Sequence, residues 1–518
     1  MRICFMEIEN FRGIKLSRFP LDEALVCFIG AGNSSKSTII DAIEYTLSPN
    51  WYLPIDDSDF YNCDIDKPII ITITIKPPHD DFWVDTKFGL SLRGWDNTNK
   101  VIVDDPSGDD SLEKVLTVRL TIDKTLTPEW HVVTDRNSSG DHISAKDRQK
   151  LGVTRIGDNI ASELSWTRGS ALSRLTQDKA EAEKIILEAN RDLRSKINDV
   201  NFDSLTSSIS SIKTGYEELG LNIVELNASI DPEIVRSRIG ALSLHLDKVP
   251  ARRLGLGSRR LLAIAAQLQC VSQGSVMLID EIETALEPHK IKHLLRVLKS
   301  KGEGENSGQF IFTSHHAAVI EELGCGPLFS VINDVEGNVT VKQIPKEVQG
   351  TVRDMPEGLL APKVVVCEGA TEIGLLIAYE EKLLKDDIKK TFAFNQVATL
   401  DAKGGANVSV RAEALKKIGK NVCVFMDSDV DSYIPTENGI EIIAWGDQFK
   451  TEDRINADLP VDAREEFNIL TNNTGKFKTV NGGIKVGKLL FEDRCFSNML
   501  GTDFHTKMEQ LKAWVNAQ

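Results

Sequence analysis

The segment Gly30-Ala31-Gly32-Asn33-Ser34-Ser35-Lys36-Ser37-Thr38 follows the apolar run Ala24-Leu25-Val26-Cys27-Phe28-Ile29 and leads into helical spacing from Ile39 to Leu47. A strand, a glycine-rich loop, Lys-Ser and a helix make a phosphate-binding loop. Its N–H groups wrap phosphate oxygens, helped by the positive end of the helix. The pattern therefore asks for an α/β sheet with this strand inside it. Lys36 is expected to reach the β- and γ-phosphates of ATP and Ser37 to ligate Mg²⁺. Gly30, Asn33, Ser35 and Thr38 complete the loop. Ser35 stands where such loops usually carry a second glycine, and its Cβ tightens the backbone. Binding is expected to survive, with slow turnover.

Further along, Val276-Met277-Leu278-Ile279 ends in Asp280-Glu281, and Phe310-Ile311-Phe312-Thr313-Ser314 ends in His315. An apolar run that stops in acid reads as a buried strand whose carboxyl end carries chemistry. Asp280 suits the Mg²⁺ shell, Glu281 the polarisation of an attacking water, and His315 a γ-phosphate contact. Leu254-Gly255-Leu256-Gly257-Ser258 opens a Leu- and Ala-rich helix, so Gly257 exposes backbone donors to an anion.

The stretch between Lys36 and Asp280 is too long for a minimal ATPase. About 65–145 alternates as strands (Ile69-Ile70-Ile71-Thr72-Ile73-Thr74-Ile75), and about 155–235 has helical spacing, read as an arm. The expected domains are 1–154, an ATPase N-terminal lobe with a β insertion; 155–240, the helical arm; 241–350, the ATPase C-terminal lobe; and 351–518, a further α/β domain. The chain has 518 residues, 41% hydrophobic and 27% charged, which is ordinary for globular protein. No apolar run reaches membrane-spanning length, and the start of the chain reads as a strand rather than a leader. Eight cysteines without a CxxC pair argue against disulfides and structural zinc, and Cys27, Cys367 and Cys423 read as small buried hydrophobes. A cytoplasmic location is expected. The net charge of −16 argues mildly against broad adhesion to nucleic acid but leaves room for a local basic groove.

Two more acidic strand ends lie in the last third: Val364-Val365-Val366-Cys367-Glu368-Gly369, and Val424-Phe425-Met426-Asp427-Ser428-Asp429-Val430-Asp431. On neighbouring strands, Glu368, Asp427 and Asp429 would present hard oxygen ligands to a shared divalent ion. Asp431 is a further candidate ligand. The apolar helix Ile373 to Leu384 is expected to pack behind the Glu368 strand.

The phosphate loop, Asn10-Phe11-Arg12, the Gly257 segment, Asp280-Glu281 and His315 together resemble ABC ATPases of the SMC/RecF type. With the Glu-Gly and Asp-x-Asp strand ends added, the chain resembles the OLD (overcoming lysogenization defect) family. That family includes the nuclease subunit of the Gabija phage-defence system and retron-linked effectors. The resemblance implies an α/β fold: an ABC-type P-loop ATPase head with an inserted β segment and helical arm, then a C-terminal Toprim domain. It implies a signature segment at Gly257 that touches ATP held by another subunit, hence a homodimer or higher oligomer. It also implies Glu368, Asp427 and Asp429 as Toprim acids, a later acid at Glu452 ahead of Asp453, and a lysine at Lys488 ahead of Lys485. Lys403-Gly404-Gly405 matches the small-residue turn between these strands. The implied cofactors are ATP and Mg²⁺, with Mn²⁺ possible at the Toprim site.

The implied activity is ATP-regulated, metal-dependent DNA cleavage in antiviral defence. Implied partners are DNA or RNA, and a co-encoded helicase-like protein or a reverse transcriptase with its RNA–DNA. The rivals are a nuclease acting on RNA such as tRNA, and a non-nucleolytic ATP-switched sensor or scaffold. Nothing in the chain supplies the tyrosine module of a topoisomerase or the template-binding parts of a primase.

Overall fold

The computed structural model describes residues 1–77, 88–106, 111–156, 160–165, 170, 174, 188, 192, 244–246, 249–270, 274–303, 308–354, 356–428, 435 and 439–517. Its strands are β1 (Arg2–Phe11), β2 (Ile14–Pro20), β3 (Leu25–Ile29), β4 (Ile69–Lys76), β5 (Arg93–Asp96), β6 (Val101–Val103), β7 (Glu113–Ile122), β8 (Pro128–Val132), β9 (Asp141–His142) and β10 (Val153–Ile156). Then come β11 (His245–Leu246), β12 (Val249–Pro250), β13 (Val276–Ile279), β14 (Gln309–Ser314), β15 (Leu328–Asn333), β16 (Val339–Gln343), β17 (Lys363–Cys367), β18 (Val397–Asp401), β19 (Asn421–Met426) and β20 (Glu441–Ala444). The helices that matter for function are α1 (Lys36–Leu47), α2 (Leu256–Cys270), α3 (Ala370–Asp386), α4 (Val408–Lys417), α5 (Thr451–Asp458) and α6 (Val480–Leu490).

The alternating segment is not an insertion of its own. It completes a sheet begun by the N-terminal hairpin, in the order β2-β1-β4-β7-β5-β6, with β8 on β7 and β9 on β8. Register explains why: Ile8 lies opposite Ile71, and Ile71 opposite Leu120, giving one buried row across three strands. Period-two burial of Ile69, Ile71, Ile73 and Ile75 directs all four to one face, where α1 packs. Each such isoleucine contributes about 1.5–3 kcal/mol when fully buried.

The second sheet runs β10-β13-β14-β3-β15-β16, with β13, β14, β3 and β15 parallel and β16 antiparallel. The central strands β13, β14 and β3 are buried at every position, as a sheet covered on both faces requires, while the edge strand β16 alternates into solvent. The buried amide of Gln309 joins the two sheets. Its Oε1 accepts from Ile3 N at 2.8 Å, and its Nε2 donates to Leu21 O at 2.8 Å and Glu23 O at 2.9 Å.

The last third forms a parallel sheet in the order β18-β17-β19-β20. Helix α3 covers β17, as its apolar sequence suggests, and α6 runs beside it in the same direction. The two helices meet backbone to backbone. A Cβ on Gly374 would lie 2.3 Å from Val480 O, and one on Gly483 2.6 Å from Thr371 O. Only glycine fits at that crossing.

The compact units are Met1–Arg155 with Gln273–Gln518, and Ile156–Ser272. The segments 241–272 and 273–350 thus fall in different units, and α2 packs with the middle of the chain. Within that second unit Ile160, Leu164, Ala251 and Ala263 form a small core, and Gln267 bridges Glu163 at 2.7 Å and Arg174 at 2.5 Å. Most of the helical reading of 155–235 lies outside the described residues. Among the described residues Cys27, Cys367 and Cys423 are fully buried free thiols, and no helix is long and apolar enough to cross a membrane.

Candidate functional site

Strand β3 delivers the phosphate loop to the N-terminus of α1. Gly30 is obligatory there: its φ is +154° and a Cβ would sit 2.4 Å from Val331 O. Lys36 is buried, and its Nζ donates to Gly30 O (3.2 Å), Ala31 O (2.7 Å) and Ser34 Oγ (3.0 Å). Desolvation pushes its pKa down to about 8, although Asp280, Glu281 and Glu283 pull the other way. Asn33 is exposed with φ 61°, and Ser37 and Thr38 begin α1.

Strand β14 lies between β3 and β13, so Thr313 reaches the acid at the end of β13. Thr313 Oγ1 donates to Asp280 Oδ1 at 2.6 Å, and Ser37 Oγ donates to the same oxygen at 3.0 Å. Ser37 and Asp280, from distant parts of the chain, are therefore joined through that oxygen. Glu281 follows with φ 46°, its N–H on Thr313 Oγ1 at 2.7 Å. A non-glycine residue in the left-handed region costs about 1–2 kcal/mol, and Glu281 is exposed there. His315 leaves β14, with its N–H on Glu283 Oε1 at 2.6 Å. Desolvation and then Lys36 lower its pKa, against the pull of three carboxylates. Its neighbour His316 is occupied: Nδ1 accepts from Ala318 N at 3.0 Å and caps the helix Ala317–Leu323. Behind the loop, Arg12 pairs with Asp41 and Asp59, while Arg155 pairs with Asp41 and with Glu44 at 2.7 Å. Arg155 also lies 3.7 Å from Asp280 Oδ2.

Ser35 is the residue before α1 and sits at φ 71°, ψ 21°. Its hydroxyl makes no cap hydrogen bond to the helix. Asn333 at the end of β15 takes it instead, Nδ2 to Ser35 Oγ at 3.0 Å. In the second unit, Gly257 is the second residue of α2, with Gly255 and Ser258 exposed beside it.

The C-terminal sheet brings two acids together. Cys367 and Phe425 are cross-strand partners, so Glu368 and Asp427 leave adjacent parallel strands at the same edge. Asp427 N donates to Glu368 Oε2 at 3.3 Å. The turn after β18 supports the first acid: Ala402 N donates to Cys367 O and Gly404 N to Glu368 O, both at 2.8 Å. Asp427 Oδ1 accepts from Thr451 N and Thr451 Oγ1, both at 2.8 Å, at the start of α5. Glu452 is the next residue, in the first helical turn beside Asp427, and Asp453 is exposed. Asp429 and Asp431 lie outside the described residues.

Three residues here escape the sequence reading. Glu372 is buried at the start of α3, with Oε2 on Gly369 N at 3.0 Å. Burial pushes its pKa up to about 8, with Asp427 and Glu368 adding to the effect and Thr451 opposing it. Its signal was the Glu368–Glu372 spacing across a helix start. Asp401 ends β18 beside Cys367 and accepts from Lys403 N at 2.7 Å. Lys478 is exposed just before α6, next to Phe477, whose carbonyl accepts from Thr371 Oγ1 at 3.3 Å.

One expectation is corrected. Lys488 does not reach the acids: it pairs with Glu381 at 2.9 Å, and both side chains are about half exposed. Glu381 is three turns down α3, about 16 Å from the acid end at 1.5 Å per residue. Lys485 is exposed along the same helix. The parallel packing of α3 and α6 puts the start of α6, not its end, at the acid edge.

Among the described residues no group of three His, Cys, Asp or Glu side chains is arranged as a metal site. The donor chemistry nevertheless fits a hard divalent cation. Glu368 and Asp427 offer carboxylate oxygens at one edge, and a cation there would displace the proton that burial favours on Glu372.

Residues 25–321 match the family model "AAA domain, putative AbiEii toxin, Type IV TA system". No curated protein matches the chain. Among solved structures, an Smc head bound to the C-winged helix domain of ScpA is 14% identical, covering 66% of this chain and 97% of that one, with a TM-score of 0.38. A Pyrococcus furiosus Smc head with extended coiled coil, bound to the C-terminal domain of ScpA, is 14% identical over 68% and 98%, with a TM-score of 0.39. The recombination mediator RecF is 13% identical over 66% and 98%, with a TM-score of 0.34. Likenesses this distant carry no functional weight. The family model spans more than half of the chain, and on that ground the chain belongs to this AAA-domain family and carries an ATP-binding ATPase domain.

Proposed function

We propose that the chain is an ATP-regulated, divalent-metal-dependent nuclease of the OLD type, with the ATPase made by residues up to about 350 and a Toprim domain by 351–518. The observation that carries this reading is the junction of Glu368 and Asp427 at one edge of a parallel sheet, with Glu372 buried behind them. Crowded carboxylates of that kind take up either a proton or a cation, and divalent-ion sites are built in this way. Bound there, divalent cations polarise a phosphodiester and lower the pKa of an attacking water. Thr451 orients Asp427, the Gly404 turn orients Glu368, and Glu452 stands beside them. Lys478 replaces Lys488 as the cation facing the scissile phosphate. Asp429 and Asp431 are kept as ligands on sequence grounds.

At the ATPase, Ser37 and Asp280 take the Mg²⁺ position, Lys36 the phosphates, Glu281 the water and His315 the γ-phosphate edge. Gly257 faces the nucleotide of a second copy, which makes the working form at least a homodimer. DNA is the favoured substrate, and the biological role is antiphage defence.

The test is incubation of the purified protein with supercoiled plasmid and with bulk tRNA, in Mg²⁺ or Mn²⁺, with and without ATP. The reading expects metal-dependent plasmid cleavage that responds to ATP and disappears in Glu368→Ala. Cleavage of tRNA alone would move the substrate to RNA. Cleavage of neither, by protein that binds ATP, would favour the scaffold and overturn the proposal.

A further inference from the structure

We propose that Asn333 is a positioning residue for the phosphate loop, anchoring the Ser35 hydroxyl so that a serine keeps the left-handed backbone the loop takes there. Ser35 lies at φ 71°, ψ 21°, a conformation that glycine adopts freely and a serine enters at a cost of about 1–2 kcal/mol. A capping serine has extended backbone and turns its hydroxyl onto the helix N–H groups; Ser35 does neither, and makes no cap bond. Those N–H groups stay open to phosphate. The hydroxyl is held from outside the loop instead: its Oγ lies 3.0 Å from Asn333 Nδ2.

The same Nδ2 donates to Gly13 O at 2.9 Å, in the turn between β1 and β2. A carbonyl only accepts, so this contact fixes the amide orientation; the flipped amide would set oxygen against oxygen. Asn333 Oδ1 is buried and accepts no hydrogen bond among the described residues. A buried acceptor is left without a partner while the amide nitrogen serves two, which is a cost the fold bears for the sake of those two contacts.

The strand that carries Asn333 also packs against the segment that leads into β19. A Cβ on Gly419 would lie 3.0 Å from Ile332 Cδ1, and Lys342 Nζ on β16 donates to Lys417 O at 2.9 Å. The clasp on Ser35 is therefore built into the edge on which the start of β19 rests.

Equilibrium binding of a fluorescent ATP analogue and steady-state ATP hydrolysis test this. Binding by the parent that is lost in Lys36→Ala establishes the site independently of the clasp. Asn333→Ala is expected to weaken binding and raise KM by about fivefold to tenfold, the loss expected for one hydrogen bond, with kcat within about twofold. In the Ser35→Gly background, where no hydroxyl is anchored and the left-handed backbone carries no strain, the same change is expected to cost less than about twofold. If Asn333→Ala does not fold, Asn333→Ser, too short to span the gap, carries the same expectation. ATP binding within about twofold of the parent in the asparagine variant overturns the proposal. So does an equal loss in the Ser35→Gly background, because Asn333 would then act through Gly13 alone.

Discussion

Thr451 holds Asp427 from two directions, its N–H and its hydroxyl both meeting Oδ1 at 2.8 Å. Trp445 Nε1 in turn donates to Thr451 Oγ1 at 2.7 Å, so the threonine is itself fixed. The start of α5 thus sets the direction in which the second oxygen of Asp427 points. Thr451→Val keeps the shape and the N–H bond but removes the hydroxyl. It is expected to lower the rate of metal-dependent cleavage about tenfold with little change in substrate KM, and to cost about 1–3 kcal/mol of stability through the orphaned indole N–H. A matched pair of cleavage kinetics and urea melts reads both.

Much of this was legible in the sequence, and the reasons are local. The phosphate loop, Asp280 and Glu368 each lie at the end of an apolar run, and an apolar run announces a buried strand. What the sequence hid depends on packing between distant segments. Lys488 is the lysine the family resemblance implies, but the direction in which α6 crosses α3 is set by Gly374 and Gly483 meeting backbone to backbone. Pairing of the alternating segment with β1 depends on register, which no local pattern states. Asn333 and Thr451 act through contacts far along the chain and have no motif at all.

The helix crossing makes its own prediction. Gly374→Ala places a Cβ 2.3 Å from Val480 O, where only backbone movement gives relief. The variant is expected to lose about 1–3 kcal/mol, as overpacked sites do. Gly32→Ala, in open space, serves as the control for a glycine whose Cβ meets nothing. Thermal melting that ranks the two alike would contradict the crossing.

Lys420 offers a pH signature. It is 1% exposed, and its Nζ donates to Leu359 O at 2.7 Å. Burial first, and Lys36 second, push its pKa from 10.5 down to about 7. Between those values the unfolded chain holds a proton that the folded chain has released, so stability rises with pH across that window. The penalty of the buried charge is in full force below pH 7. Lys420→Met removes the titration. The stability of the parent relative to Lys420→Met is therefore expected to climb by roughly 3 kcal/mol between pH 7 and 10. A constant difference across that range, in denaturant melts at each pH, would refute the assignment.

The most direct measurement is Mn²⁺ binding followed by electron paramagnetic resonance, on nucleotide-free Lys36→Ala protein so that the ATP site stays silent. The account predicts protein-bound Mn²⁺ that Mg²⁺ displaces and that weakens by at least about tenfold in Glu368→Ala and in Asp427→Ala, as loss of a carboxylate ligand requires. Mn²⁺ binding that is unchanged in both variants would contradict a metal centre at the edge where Glu368 meets Asp427.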